Sequence, residues 1–195
     1  MDSKRVLDVT VGSLAMALAA PILAGVAMAM RLSGDCGPFL YRARRVGEGA
    51  SIITVLKVRT MTEGAVGSSL TKSGDPRVTH LGRLLRRYRI DELPQLLNVV
   101  RGDMSLVGPR PEDPWFVDLS DPLHRRVFSA KPGITGLAQL AFHDEAQRLV
   151  GPDAERCYRD EVLPAKLRLD AEYLDRRTTL LDLEILLRTA RTVLG

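Results

Sequence analysis

IDELPQLLNVVRGDMSLVGPRPE, residues Ile90–Glu112, reads as a short helix running into a stiff loop. Leu93, Leu96, Leu97 and Val100 recur at helical spacing and mark one apolar face. Proline fits a helix only in its first turn, so Pro94 sets the helix start near Asp91–Leu93. Asp91 and Glu92 then stand at the positive end of the helix dipole. Taken alone, they read as ordinary first-turn acids. The stretch closes on Gly108-Pro109-Arg110-Pro111-Glu112, where two prolines fix the chain and hold one arginine between them.

Upstream lies Arg77–Arg89, RVTHLGRLLRRYR, with five arginines and no acid. Leu81, Leu84 and Leu85 give it helical periodicity. The functional reading is an anion-binding or membrane-surface helix, and the bland one is a solvated face. The lack of acids and the neighbouring Asp-Glu pair favour the functional reading. Ile52–Val58 is a β-rich run that predicts a strand, and Lys131–Gln139, KPGITGLAQ, predicts a Pro-Gly turn. Glu155–Arg177 predicts a helix interrupted near Pro164. Thr179–Leu194 predicts another, with Leu180, Leu183, Leu187 and Leu194 packing on the core or lying on a bilayer; core packing is favoured. The fold class is therefore α+β, mostly helical with a small β element.

A chain of 195 residues with 45% hydrophobic content suits one globular unit and argues against disorder. Charge is unevenly spread: residues 1–110 carry +7 and residues 111–195 carry −3. The basic half calls for an anionic partner: nucleic acid, anionic lipid or a phosphorylated small molecule. Cys36 and Cys157 are too distant in sequence for a CxxC site and read as buried small hydrophobes in a reducing compartment. His80, His124 and His143 are isolated, and no Walker-type loop or GxGxxG is present, so nothing supports ATP or NAD use. Trp115 reads as an interface anchor or a core residue.

The apolar content concentrates in Val9–Met30, 22 residues without a formal charge. As a straight helix this segment measures about 33 Å, enough for a bilayer core of about 30 Å. A cleaved signal peptide and a buried soluble helix are weaker readings. Lys4 and Arg5 precede the segment, while Arg31, Arg42, Arg44 and Arg45 follow it. Positive charge prefers the cytoplasmic side, and here both flanks ask for it. A helix broken at Pro21, entering and leaving through one leaflet, satisfies both. The expected organisation is a re-entrant membrane helix over residues 1–34 and a compact cytosolic catalytic domain over residues 35–195.

Taken together, these blocks resemble the bacterial sugar transferases, the monotopic polyprenyl-phosphate phosphoglycosyl transferases. Beside Ile90–Glu112 and KPGITGLAQ, the resemblance rests on Lys4-Arg5-x-x-Asp8, on FLYRARRV at Phe39–Val46 and on Leu56-Lys57-Val58-Arg59-Thr60-Met61. It rests also on Asp75-Pro76-Arg77-Val78-Thr79, on VLPAKLRLDAEY at Val162–Tyr173 and on LDLEILL at Leu181–Leu187. It implies transfer of a phospho-sugar from a UDP-sugar donor to polyprenyl (undecaprenyl) phosphate. The product is a polyprenyl diphosphate sugar, UMP leaves, and synthesis of a bacterial surface glycan begins. It implies that Asp91 and Glu92 are the catalytic pair and that Arg86 and Arg110 bind phosphate. Lys57 and Arg59 carry over as donor-binding candidates. It places the enzyme on the cytoplasmic face of the bacterial inner membrane. Two departures stand out: Gln139 is followed by Leu140-Ala141-Phe142-His143 where relatives often have Asn-Gly-Arg, and Ala20 precedes Pro21 where relatives can carry serine.

The residues can support that chemistry. A carboxylate attacking phosphorus gives an acyl phosphate, a recognised covalent intermediate. Arginines offset the like-charge approach, and Mg²⁺ bridging the diphosphate would assist, with Glu92 as its hard-oxygen ligand. Three other readings are a membrane-tethered nucleic-acid binder, a UDP-sugar phosphohydrolase and a non-catalytic scaffold. No nucleic-acid partner is expected, because that reading leaves the Asp-Glu pair and the Pro-Arg-Pro loop idle.

Overall fold

The computed structural model describes residues 3–194 except 36, 66, 68–69, 72–73, 146–148 and 150–152. The chain is α+β and mostly helical. Helix α1 spans Ser3–Leu32. Strands β1 (Leu40–Val46) and β2 (Ile52–Val58) form an antiparallel hairpin pairing Leu40 with Val58 and Val46 with Ile52. Helices α2 (His80–Arg87) and α3 (Gln95–Arg101) follow. Strand β3 (Ser105–Val107) pairs in parallel with β4 (Gly133–Thr135), with α4 (Pro122–Phe128) between them in sequence. Helices α5 (Leu137–Ala141), α6 (Ala154–Cys157), α7 (Leu163–Arg176) and α8 (Thr179–Leu194) complete the chain.

Helix α1 is long and apolar enough to cross a membrane, yet it lies along the rest of the protein. Asp8, Gly12, Ala19 and Met30 form its buried stripe, with Ala15, Met16, Leu23 and Val26 half-buried beside them. A Cβ at Gly12 would stand 3.3 Å from Val99 Cγ1, so glycine permits the close approach to α3. The N-terminal part packs with Val99, Leu106 and Ile185, and Met30 at the other end packs with Val58 and Leu85. The opposite face exposes Val6, Val11, Leu14, Leu18, Ile22, Met28 and Leu32. Only 11% of the most apolar window is buried. The break expected at Pro21 does not form: Ser3–Leu32 is one continuous helix, and the missing N–H of Pro21 costs it one backbone hydrogen bond without interrupting it.

Polar contacts fix the helix's start. Asp8 Oδ1 accepts from Ser105 Oγ at 3.0 Å and from Leu106 N–H at 2.9 Å. Lys4 donates to Asp182, Tyr173 Oη and the Val107 carbonyl. Arg5 donates to the carbonyls of Val99 and Val100 at the end of α3.

Several expectations hold and others change. The strand at Ile52–Val58 forms as expected, but FLYRARRV becomes its partner β1, a pairing its arginines conceal. The basic helix is shorter than Arg77–Arg89. Thr79 caps it, and Arg77 pairs instead with Asp75 in the preceding turn. The helix expected to start near Asp91–Leu93 begins as a 3₁₀ turn over Ile90–Glu92, and α3 proper follows Pro94. A π turn over Tyr158–Val162 makes the interruption before Pro164. On α8 the core reading fails for Leu180, Leu183 and Leu187, which are exposed. Asp182 and Ile185 face inward because Lys4 and Tyr173 take Asp182. Cys157 is half-buried rather than buried, and Cys36 and the Leu194 side chain lie outside the described residues.

The Pro-Arg-Pro loop leaves β3 and is clamped on both sides. Gly108 N–H donates to the Thr135 carbonyl at 2.9 Å and Gly133 N–H to the Pro109 carbonyl at 2.8 Å. A Cβ on Gly133 would lie 2.1 Å from Gly108 N, so only glycine fits. Below the loop, buried Lys166 donates to Glu112, Glu145 and Tyr158 Oη, and Tyr158 donates to Glu112 at 2.7 Å. Asp170 accepts the Arg110 backbone N–H at 3.3 Å through Oδ2, while its buried Oδ1 has no partner.

Burial pushes the Asp170 carboxyl up to about 7, against the Arg110 N–H and the Lys166 charge. A raised native pKa favours folding below the ordinary carboxylate range, and that contribution is lost as pH rises through about 7. Asp170→Asn keeps an acceptor for Arg110 and removes the titration. Between pH 4 and pH 8 the native chain should lose on the order of 4 kcal/mol of stability relative to the variant. Guanidinium unfolding at the two pH values checks this, and parallel pH dependence of the two proteins would contradict it.

Candidate active site

Three elements bring the charged residues together. Helix α2 ends because Arg89 adopts a left-handed conformation (φ 52°), which turns the chain into the Ile90–Glu92 turn. Ile90 packs with Val58 and Leu85, pinning that turn to β2 and α2. Asn98 on α3 ties this unit to the hairpin, accepting from Leu56 N–H at 3.0 Å and donating to the Thr54 carbonyl at 2.8 Å. Asp91 is therefore held in a buried position, 7% exposed.

Lys57 from β2 contacts Glu92 Oε1 at 3.1 Å, and Arg89 lies 3.6 Å from Glu92 Oε2. Burial alone would raise the Glu92 carboxyl, but Lys57, Arg110 and Arg89 outweigh it and hold the group at about 2. Glu92 is a permanent anion. Asp91 behaves oppositely. Burial and the adjacent Glu92 charge push its carboxyl above the ordinary range, against Lys57 and Arg86. No hydrogen bond from another described residue reaches the Asp91 carboxylate. Two neighbouring carboxylates thus have distinct states, one paired and ionised, one unpartnered and readier to take a proton.

Arg86, in the last turn of α2, donates from Nε to Thr60 Oγ1 at 2.8 Å. Burial lowers its pKa while Asp91 and Asp75 oppose that shift. Burial also disfavours the Arg110 cation, but Glu92, Glu145 and Glu112 more than compensate and its pKa rises. The Arg110 guanidinium makes no hydrogen bond with the described residues and is available to an incoming anion.

Lys57, Arg86 and Arg110 therefore converge on Asp91 and Glu92, as anticipated from the sequence. Arg59 does not. It pairs with Asp35, lies 4.0 Å from Glu63, and leaves its buried Nε unpartnered. The supporting residues Glu112, Lys166 and Asp170 were given no role from sequence. A signal existed: Lys166 and Asp170 interrupt the buried stripe of Leu163, Leu167 and Ala171. Charges on an apolar helical face are paired or functional.

No group of three or more His, Cys, Asp or Glu side chains able to hold a metal occurs among the described residues. Asp91 and Glu92 alone fit a different arrangement, in which Mg²⁺ takes one or two carboxylates and completes its shell with substrate phosphates and water.

Comparison with known proteins supports the same region. The model of the family described as "Bacterial sugar transferase" matches residues 2–195. The chain is 40% identical over 196 residues to a UDP-glucose:undecaprenyl-phosphate glucose-1-phosphate transferase of Caulobacter vibrioides, covering 98% of this chain and 69% of that one. It is 36% identical to a UDP-N-acetylgalactosamine-undecaprenyl-phosphate N-acetylgalactosaminephosphotransferase of Aeromonas hydrophila, covering 98% of this chain and 43% of that one. It is 34% identical to a UDP-glucose:undecaprenyl-phosphate glucose-1-phosphate transferase of Escherichia coli, covering 95% of this chain and 39% of that one. The chain thus spans less than half the length of the last two relatives. The match runs through both the apolar helix and the Asp91–Glu92 site, and the chain belongs to the bacterial sugar transferase family.

Proposed function

We propose that this protein is a membrane-bound phosphoglycosyl transferase. It moves a sugar 1-phosphate from a UDP-sugar to polyprenyl (undecaprenyl) phosphate and so initiates synthesis of a bacterial surface glycan. The observation that carries this reading is the unpartnered, buried Asp91 carboxylate set among Lys57, Arg86 and Arg110. A nucleophile needs a free lone pair, and an anionic nucleophile needs cations to approach a diphosphate.

In the first step an Asp91 carboxylate oxygen attacks the sugar-bearing phosphorus of the donor. The P–O bond to UMP breaks, UMP leaves with the electron pair, and the phospho-sugar remains as an acyl phosphate on Asp91. In the second step an oxygen of the lipid phosphate attacks that phosphorus and the bond to Asp91 breaks. Arg110 and Arg86 bind phosphoryl oxygens in both steps. Lys57 holds Glu92 in place. Mg²⁺, when bound by Glu92 with the diphosphate, supplies neutralising charge. Arg59 serves the donor only indirectly, by fixing the segment after β2 through Asp35.

Helix α1 fits the lipid acceptor. Both of its ends pack on the rest of the chain while its opposite face is exposed and apolar, which supports an anchor held at one leaflet over a spanning helix. Its basic flanks support a cytoplasmic-face location at the inner membrane. The nucleic-acid reading loses ground, because Arg77 and Arg83 are engaged with Asp75 and the Val78 carbonyl rather than forming an open cationic face.

Incubating the protein with Mg²⁺ and its UDP-sugar, without acceptor, should add one phospho-sugar mass that maps to Asp91. Asp91→Asn should abolish the adduct and cut turnover roughly 10³-fold or more. Near-normal turnover in that variant would contradict the covalent route.

The pH dependence offers a second check. Asp91 attacks only when ionised, so UMP release should fall on acidification at a pH above the usual carboxylate range. Glu92→Gln removes the like charge that raises Asp91. Its acid limb should move to lower pH while the plateau rate falls. A limb that stays in place, or that moves only with Asp170→Asn, would show that Asp91 does not set it.

A further inference from the structure

The geometry points to a second anion site, away from Asp91, that takes the phosphate of an anionic phospholipid. A cavity of about 440 Å³ opens beside the N-terminal turn of α1. Five basic side chains line it, Lys4, Arg5, Arg126, Lys131 and Arg177, against only Asp8 and Glu48. None of Asp91, Glu92, Lys57, Arg86 or Arg110 does. The inference rests on α1 being a membrane element and is otherwise independent of the transfer chemistry.

The charges at this cavity are incompletely balanced. Asp8 is committed to Ser105 and Leu106. Lys4 pairs with Asp182 and Arg126 with Asp175. Glu48 lies 3.8 Å from Lys131, a loose pair between partly exposed groups. Arg5 has only the two carbonyls ending α3, and Arg177 makes no hydrogen bond or ion pair with the described residues. Arg5 and Arg177 thus face the cavity without a carboxylate partner. Guanidinium groups bind phosphate oxygens in pairs of hydrogen bonds, so this is a phosphate-binding chemistry.

The surroundings select the source of the phosphate. Arg5 is followed on α1 by the exposed Val6 and Val11, on the helix that enters the bilayer. Arg177 leads into α8, whose Leu180 is 79% exposed, with Leu183 and Leu187 exposed beyond it. Cations flanked by exposed apolar side chains match the headgroup level of a membrane, where anionic phosphate lies just above acyl chains. A free phosphate has no use for the apolar flanks. The wall includes Pro109, so a bound headgroup touches the catalytic loop from behind.

The full chain in neutral detergent should retain one phosphatidylglycerol, read by native mass spectrometry during titration, and should not retain phosphatidylcholine. Basic side chains at a membrane surface contribute roughly 30-fold in affinity for each two removed. Lys131→Ala combined with Arg177→Ala should weaken retention by about that factor. Arg42→Ala with Arg44→Ala, the same charge loss on exposed β1 positions, should weaken it less than about 3-fold. Unchanged unfolding midpoints and unchanged UMP release without acceptor should accompany both pairs. Equal retention in the two double variants would overturn the site. Equal retention of phosphatidylcholine, whose phosphate is neutralised by its own choline, would overturn the assignment to an anionic phospholipid. Competition by inorganic phosphate as strong as by the lipid would reassign the cavity to a soluble anion. Loss of UMP release in Lys131→Ala/Arg177→Ala would show that the cavity belongs to the catalytic site. A wild-type protein that binds the lipid but forms no adduct on Asp91 would refute the transfer mechanism and leave the lipid site standing.

Discussion

A single buried carboxylate ties the long apolar helix α1 to the strand that carries the Pro-Arg-Pro loop. Asp8, the one acid of α1, is 3% exposed and accepts from the Ser105 hydroxyl and the Leu106 N–H. Leu106 stands two residues before Gly108, so the start of α1 and the Pro-Arg-Pro loop share one short strand. Removing Asp8 would leave two buried donors without an acceptor, each costing roughly 1–3 kcal/mol. Lys4, reaching Asp182 and Tyr173, holds the same turn from the other side. At the far end of α1, Met30 packs on Val58 and Leu85, with Ile90 of the Asp91 turn against the same cluster.

That frame explains how a charged site sits beside a long apolar helix. Burial raises the cost of every charge near Asp91, and the arrangement answers with paired or shared cations rather than with water. Glu92 absorbs Lys57 and Arg89 and stays ionised. Asp91 receives no such partner, as the proposed nucleophile requires. Arg110 is held from its backbone by Asp170 and from beneath by the Glu112–Lys166–Tyr158 cluster, which leaves its guanidinium uncommitted. Rigidity of the support and freedom of the tip are the combination that phosphoryl transfer by positioning requires.

Much of this was legible in the sequence. Periodicity found the strand at Ile52–Val58 and the helix at Thr179–Leu194, because alternation and 3.6-residue spacing survive in those runs. Pro94 and Pro164 stand just after real irregularities, a 3₁₀ turn and a π turn, whereas Pro21 interrupts nothing. The resemblance to the bacterial sugar transferases, rather than composition or spacing, singled out Asp91 and Glu92. Strand β1 was hidden because its arginines obscure the apolar alternation. The orientation of α8 was misread because leucine count outweighed Asp182, whose burial is decided by Lys4, 178 residues away. Arg59 looked equivalent to Lys57 two residues earlier, but Asp35 draws it off, and no local pattern reveals a partner 24 residues distant.

The central claim is that α1 is held along one domain, so that both of its ends lie on the same side of the membrane. Single cysteines at Ser3 and Ser33, in a chain whose Cys36 and Cys157 are replaced by serine, test it directly in intact cells with a membrane-impermeant thiol reagent. The account predicts that both positions stay protected until the cells are opened, and that both then react. Labelling of one position alone in intact cells would establish a spanning helix and contradict it.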